Sequence, residues 1–189
     1  MAANPLPPVR SGDDRLPVRP EALRQFRLAR LLVLLDVAAA QKPIKPIDIE
    51  RLAFYDFFAA NPFLIIDGDD PERRDVLLAG FNANSLSYNS SAQRFTNRRG
   101  RLQHDLTLLI AYALVEANNV NGRIAYAITE RGSALARDLR ALYAASYRDS
   151  ASIVIRRLNK LSDKKLREEA RRWLRAEGFL IDIYDDSTG

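Results

Sequence analysis

Leu114-Val115-Glu116-Ala117-Asn118-Asn119-Val120-Asn121-Gly122-Arg123-Ile124-Ala125-Tyr126-Ala127-Ile128-Thr129-Glu130 is the stretch that decides the fold. Two short extended runs flank Asn121-Gly122, the dipeptide best suited to a two-residue type I′ turn, because both central positions of that turn need positive φ. The pattern predicts a hairpin with strands over 114–120 and 123–128. Thr129 follows at the position of a helix cap, where its hydroxyl can accept the first free amides. Leu135, Leu139 and Leu142 then carry a predicted helix through about Ser146 on one face.

Upstream, Leu102, Leu106, Leu109, Ile110 and Ala113 share one face of a helix expected over 97–113, with Arg98, Arg99, Arg101 and His104 off that stripe near its start. Residues 82–91 hold seven Asn or Ser in ten. Such side chains bond to their own backbone and compete with a helix, so this segment reads as a loop. Before it, Glu21 to Gln41 carries Leu28, Leu31, Leu32, Leu35 and Ala39 at helical spacing until Lys42-Pro43. Asp48 caps a second helix that ends at Asn61, with Ile47 and Leu52 spaced as a hydrophobic staple. Asp70 and Pro71 open a short third one toward Gly80. Beyond the hairpin, helices are expected near 151–160 and 162–176, and Phe179 to Tyr184 reads as a short terminal strand.

This order of helices, hairpin and Thr-capped helix is that of a winged helix-turn-helix, a mainly α fold with a small β-hairpin wing. The expected division is a flexible Pro-rich arm over 1–20, a winged-helix domain over 21–145 and a helical C-terminal extension over 146–189.

The chain has 189 residues, 47% of them hydrophobic, with Lys+Arg 29 against Asp+Glu 24, one His and no Cys. A chain of this length buries about two thirds of its unfolded surface and folds without disulfides or metal. The lack of thiols excludes cysteine nucleophiles, iron–sulfur clusters and thiolate zinc sites, and a single His excludes a multi-histidine centre. Asp67-Gly68-Asp69-Asp70 has the opening of a calcium loop, but its twelfth position is Leu78, where a bidentate Glu is required. His104 lies beside Asp105 without a Ser or Cys from which a nucleophilic arrangement could be assembled. Neither a phosphate-loop nor a dinucleotide fingerprint occurs. No catalytic residue, metal or cofactor is expected. Asp13 and Asp14 interrupt the place where a secretory signal needs an apolar run, and Leu31 to Ala40 is about half of a bilayer span and contains Asp36. The expectation is a cytoplasmic protein with no membrane segment.

Two stretches carry candidate function. Between Arg94 and His104 lie Arg94, Arg98, Arg99 and Arg101 and no acid. Cations at a helix start oppose its dipole by a few tenths to about 1 kcal/mol each, so a compensating group is expected outside the helix. A phosphate backbone would serve, as would an acidic partner or intrachain pairs with residues such as Asp75 or Glu116. With Arg123 near the wing tip, these arginines and His104 are the candidate DNA contacts. Phe54, Tyr55, Phe57 and Phe58 fall within five residues of one helix. Phe54, Phe57 and Phe58 can share a buried stripe that leaves Tyr55 on another face, so the cluster is either core or a partner interface. From Arg137 to Arg175, twelve Lys or Arg stand against five Asp or Glu, which suits DNA, an acidic partner or a plain solvated surface.

Tyr126-Ala127-Ile128-Thr129-Glu130-Arg131-Gly132 is similar to the second wing strand and helix start of winged-helix regulators of the PadR and MarR kinds. A closer likeness joins Arg30-Leu31-Leu32 to Asp36, Ile49-Glu50-Arg51-Leu52-Ala53-Phe54-Tyr55-Asp56-Phe57 to Asn61-Pro62, Arg94-Phe95-Thr96-Asn97-Arg98-Arg99 and Leu102-Gln103-His104-Asp105-Leu106. Together they resemble the middle component of bacterial three-component ABC-ATPase conflict systems, to which the Lamassu anti-phage systems are related. The likeness covers residues 27 to 132. It implies a noncatalytic winged-helix adaptor linking an SMC-like or Rad50-like ABC ATPase to an effector, often a nuclease. It brings no catalytic residue. The rival reading is a transcriptional regulator, a homodimer on two half-sites about one DNA turn apart.

Overall fold

The computed structural model describes residues 20–82 and 90–185. The arm expected over 1–20, except Pro20, and most of the loop expected over 82–91 lie outside them. The described residues form α1 (Arg24–Ala40), α2 (Ile49–Ala60), α3 (Arg73–Leu78), α4 (Ser91–Ala111), β1 (Val115–Val120), β2 (Arg123–Ile128), α5 (Glu130–Asp138), α6 (Leu142–Leu158) and α7 (Asp163–Asp185). The chain is mainly helical with one antiparallel hairpin.

Two helices form the centre. In α1, Leu31, Leu32, Val33, Leu34 and Leu35 are all buried, and in α2 every residue from Arg51 to Ala59 is buried. Consecutive buried positions wrap round a helix instead of running along one stripe, so both helices are enclosed. The cover comes from the rest of the chain. α6 packs on both, α5 closes over α1, α4 lies against α2 and α1, and α7 packs against α4. Asp48 caps α2 as expected, accepting from the Arg51 amide at 2.8 Å.

The hairpin forms about its predicted two-residue turn, with Val115 opposite Ile128 and Val120 opposite Arg123. Asn121 and Gly122 have φ of 53° and 78°, both positive as type I′ requires. The Tyr126 amide donates to the Ile47 carbonyl at 2.9 Å, which ties the outer edge of β2 to the connection between α1 and α2. At the end of β2 the Thr129 hydroxyl accepts from the Gly132 amide at 3.0 Å and donates to the Ala113 carbonyl at 2.9 Å. Thr129→Ala removes both bonds and is expected to cost about 1–2 kcal/mol in urea denaturation. An unchanged midpoint would contradict that role.

Three expected elements are corrected. α4 begins at Ser91 instead of Asn97, capped by the Ser90 hydroxyl, which accepts from the Gln93 amide at 3.3 Å. Its arginines at 98, 99 and 101 therefore sit beyond the first turn, and the dipole argument for an external anion no longer applies to them. The single helix expected from Thr129 to Ser146 is two. Leu139 is extended, and Arg148 of α6 donates to the Leu139 carbonyl at 3.0 Å and to the Ala136 carbonyl, so the last carbonyls of α5 bond a side chain instead of a further turn. Leu135 and Leu142 are exposed, while Leu139 is half-buried against the core. The residue 145/146 boundary falls inside α6, whose Tyr147, Ala151, Val154 and Ile155 join the same core as α1 and α2. Finally, Phe179 to Tyr184 continue the backbone of α7 as helix instead of forming a strand. A strand needs a partner edge, and the sheet among the described residues is the two-stranded hairpin.

Candidate nucleic-acid interface

Four helices meet at Asp56, which is 2% exposed. Arg30 of α1 donates Nε to its Oδ1 at 2.8 Å and Nη2 to its Oδ2 at 3.0 Å. Arg98 of α4 donates Nε to Oδ2 at 2.5 Å, and the Tyr147 hydroxyl of α6 donates to Oδ1 at 3.1 Å. Burial alone would raise the Asp56 carboxyl, but the guanidiniums of Arg30 and Arg98 outweigh it and hold the group at about 2, from an ordinary 3.8. Burial pushes the Tyr147 phenol well up, and the Asp56 charge adds to it, so the hydroxyl stays a donor. Nη1 of Arg30 is buried without a hydrogen-bond partner, with the guanidinium 5.7 Å from the Phe26 ring centroid.

This geometry sorts the arginines expected to touch DNA. Arg98 is committed to Asp56. Arg94 donates to Asn61 Oδ1 at 2.8 Å and Ser91 Oγ at 2.9 Å, with its guanidinium 6.0 Å from the Phe57 ring centroid. Arg123 donates to Asp163 at 2.9 Å and stands 3.9 Å from Asp48, so the charge at the hairpin tip is matched within the chain. Asp163 also accepts from the buried Arg51 at 2.5 Å; that hydrogen bond is the largest influence holding its carboxyl below the ordinary range. The partners anticipated from sequence, Asp75 and Glu116, are not the ones used.

Arg99, Arg101 and His104 remain exposed on α4, and no hydrogen bond or ion pair among the described residues engages their side chains. Asp105, the one acid of α4, is buried and accepts from Arg27 at 2.7 and 3.0 Å. His104 thus has no carboxylate to work with. The outward side of α4 is free of acids and suited to an anionic polymer.

The aromatic cluster is core. Phe54, Tyr55, Phe57 and Phe58 are at most 6% exposed. Phe54 stacks on Phe95 of α4 at 5.3 Å, Phe57 meets the same ring edge-on at 5.4 Å, and Phe58 meets Trp173 of α7 at 5.4 Å. Tyr55 accepts from Arg51 Nη1 at 3.1 Å. The partner surface expected from these four side chains is therefore covered by the chain's own α4, α6 and α7. The basic surplus after Arg137 is also partly matched within the fold. Arg156 and Arg157 pair with Glu72, Arg157 with Asp70 at 2.5 Å, Arg167 with Glu50 at 2.8 Å and Arg172 with Glu169 at 3.1 Å.

A family model for Middle Component 2 of ABC-three component (ABC-3C) systems matches residues 28–177, from α1 into α7. The chain belongs to this family. No curated protein and no solved structure matches it. Membership makes the middle component one member of a multi-component ABC-ATPase system. Among its described residues no helix is long and apolar enough to cross a membrane, and no group of three His, Cys, Asp or Glu could hold a metal ion. A cleft of about 260 Å³ opens between its hairpin and the α1–α2 connection. Ile44, Ile47, Val120 and Ala125 help line it, together with Lys45, Asn118 and Tyr126.

Sequence reasoning missed Asp56 and the true extent of α4 in the middle component. Both left signals. Ser90-Ser91-Ala92-Gln93 fits the capping pattern of Ser followed three residues later by Gln, which places the helix start at Ser91. An acid set among Phe54, Tyr55, Phe57 and Phe58 is the mark of a buried carboxylate with a cationic partner.

Proposed function

We propose that the middle component is a noncatalytic accessory subunit of an anti-phage defence complex, bridging an SMC-like or Rad50-like ABC ATPase and an effector of nuclease type. It contacts double-stranded DNA through α4. Family membership carries this reading. Support for a winged-helix arrangement comes from the order of α1, α2, α4, hairpin and α5 and from the hydrogen bond between the Tyr126 amide of β2 and the Ile47 carbonyl before α2. Support for a noncatalytic role comes from the same membership, which makes the chain one member of a multi-component ABC-ATPase system. With the aromatic cluster in the core, the exposed apolar residues Leu78 and Leu142, 76% and 85% accessible, are the better candidates for contact with the other components.

Pull-down from the native host with nuclease treatment tests the assembly. Retention of a large coiled-coil ATPase and an effector supports the adaptor. Recovery of the chain alone as a DNA-competent homodimer supports instead a regulator of the PadR or MarR kind. The DNA contact has its own test. Arg99→Ala with Arg101→Ala is expected to reduce the log–log salt slope of duplex binding by up to about 1.8, near 0.9 for each phosphate no longer neutralised. Arg98→Ala acts on stability through Asp56. An unchanged slope in the double variant overturns the assignment of α4 to DNA.

A further inference from the structure

We propose that α4 reads base edges in the major groove of double-stranded DNA through the carboxamides of Gln93, Asn97 and Gln103, while Arg99 and Arg101 straddle the two phosphate walls. This rests on the reading of α4 as the DNA-contacting element.

Three observations on one helix carry it. The first is angular placement. At about 100° per residue, Gly100 lies at the crest of the exposed face, with Gln93, Asn97, Gln103 and His104 within about 60° of it. Arg99 and Arg101 fall about 100° to either side, on opposite shoulders. Phe95, Leu102, Leu106 and Leu109, on the far side, are all buried. A helix about 10–12 Å across fills a groove about 12 Å wide, so cations on both shoulders face both backbones.

The second is hydrogen-bonding capacity. The side-chain amides of Gln93, Asn97 and Gln103 are exposed, and no hydrogen bond among the described residues uses them. The crest hydroxyls are already engaged, since Thr96 donates to the Ala92 carbonyl at 3.0 Å and Thr107 to the Gln103 carbonyl at 2.9 Å. A carboxamide offers one donor and one acceptor, the pair that matches N7 and N6 of adenine. From residue 93 to residue 103 the helix rises about 15 Å, the length of about four base pairs.

The third is Gly100. A Cβ there would meet nothing within 4 Å, so no contact among the described residues calls for glycine. Glycine inside a helix is nevertheless unfavourable relative to alanine. At the crest it lets the helix axis approach the groove floor and brings the flanking carboxamides within reach of base edges.

The test is selection from a pool of randomised DNA duplexes by the full chain, followed by sequencing of the bound fraction. Enrichment of an adenine-containing motif of four to five base pairs is expected. Gln93→Ala, Asn97→Ala and Gln103→Ala combined should cut the preference for that motif by about tenfold or more and leave the salt slope unchanged. Arg99→Ala with Arg101→Ala should lower the slope and keep the motif. Duplex binding without enrichment, or a motif that survives loss of the carboxamides, overturns base reading and leaves the phosphate contact standing. Equal binding of duplex RNA also overturns it, because the narrow A-form major groove admits no helix. Failure to bind any duplex removes the underlying DNA reading as well.

Discussion

Asp56→Ala is expected to destabilise the chain by about 3–5 kcal/mol. That is a large share of the roughly 5–15 kcal/mol typical of a whole domain. The carboxylate joins α1, α2, α4 and α6, and its loss leaves Arg30 and Arg98 facing each other across a dry core without a counter-charge. Breaking one side of a buried pair costs more than the pair contributes, because the remaining charge keeps its desolvation penalty. Urea denaturation followed by the fluorescence of Trp173, the chain's one Trp, reads the effect where α7 meets Phe58. A loss under about 1 kcal/mol would show that the arginines relax outward to water, and the hub role would fall. The pH dependence has a fixed sign. The folded carboxyl lies at about 2 against an ordinary 3.8. Its contribution, about 2 kcal/mol, is complete above the unfolded value and is lost as the pH falls through the folded one. Between about pH 4 and pH 2 the natural chain should lose stability more steeply than the alanine variant.

Gly132→Ala should cost about 3 kcal/mol, against the usual gain for this change in a helix. A Cβ at Gly132 would lie 2.1 Å from the Leu114 carbonyl oxygen and 2.7 Å from Ile128 Cγ1. Ile128 can turn aside. The Leu114 backbone cannot, because its carbonyl accepts from the Thr129 amide at 3.1 Å and its amide donates to Leu109 at 2.9 Å. The substitution therefore prises the start of α5 from the junction of α4 and β1. Gly100→Ala is the internal control, since its Cβ meets open space and should raise stability by up to about 1 kcal/mol. Thermal melts of the two variants should shift in opposite directions; a higher Tm for the Gly132 variant would refute the close approach.

The hairpin, its turn, the Asp48 and Thr129 caps and the mainly helical class were legible because each rests on local chemistry. What failed required knowledge of neighbours. Phe54 to Phe58 looked too aromatic for one buried stripe, since a helix enclosed on all sides cannot be told from a surface helix until its covers are placed. Arg98 and Arg99 are adjacent and chemically identical. One is internal and one external only because about 160° of helix rotation separates Arg98 from the Gly100 crest. Arg123 looked free because Asp163 lies 40 residues away. The break between α5 and α6 depends on Arg148, a residue of the second helix reaching back to the end of the first. Of the candidate DNA residues, Arg99, Arg101 and His104 are exposed without an ion pair or hydrogen bond among the described residues, and the carboxamides beside them became visible once α4 was found to start at Ser91.

The enclosure of α1 and α2 also sets an order of events during synthesis. These helices are made before α4, the hairpin and α5, whereas their principal cover, α6, ends at Leu158. At about 5–20 residues per second, roughly ten seconds separate the end of α2 from the completion of α6. The centre of this fold is therefore closed by a segment made well after it, and its burial waits on α6.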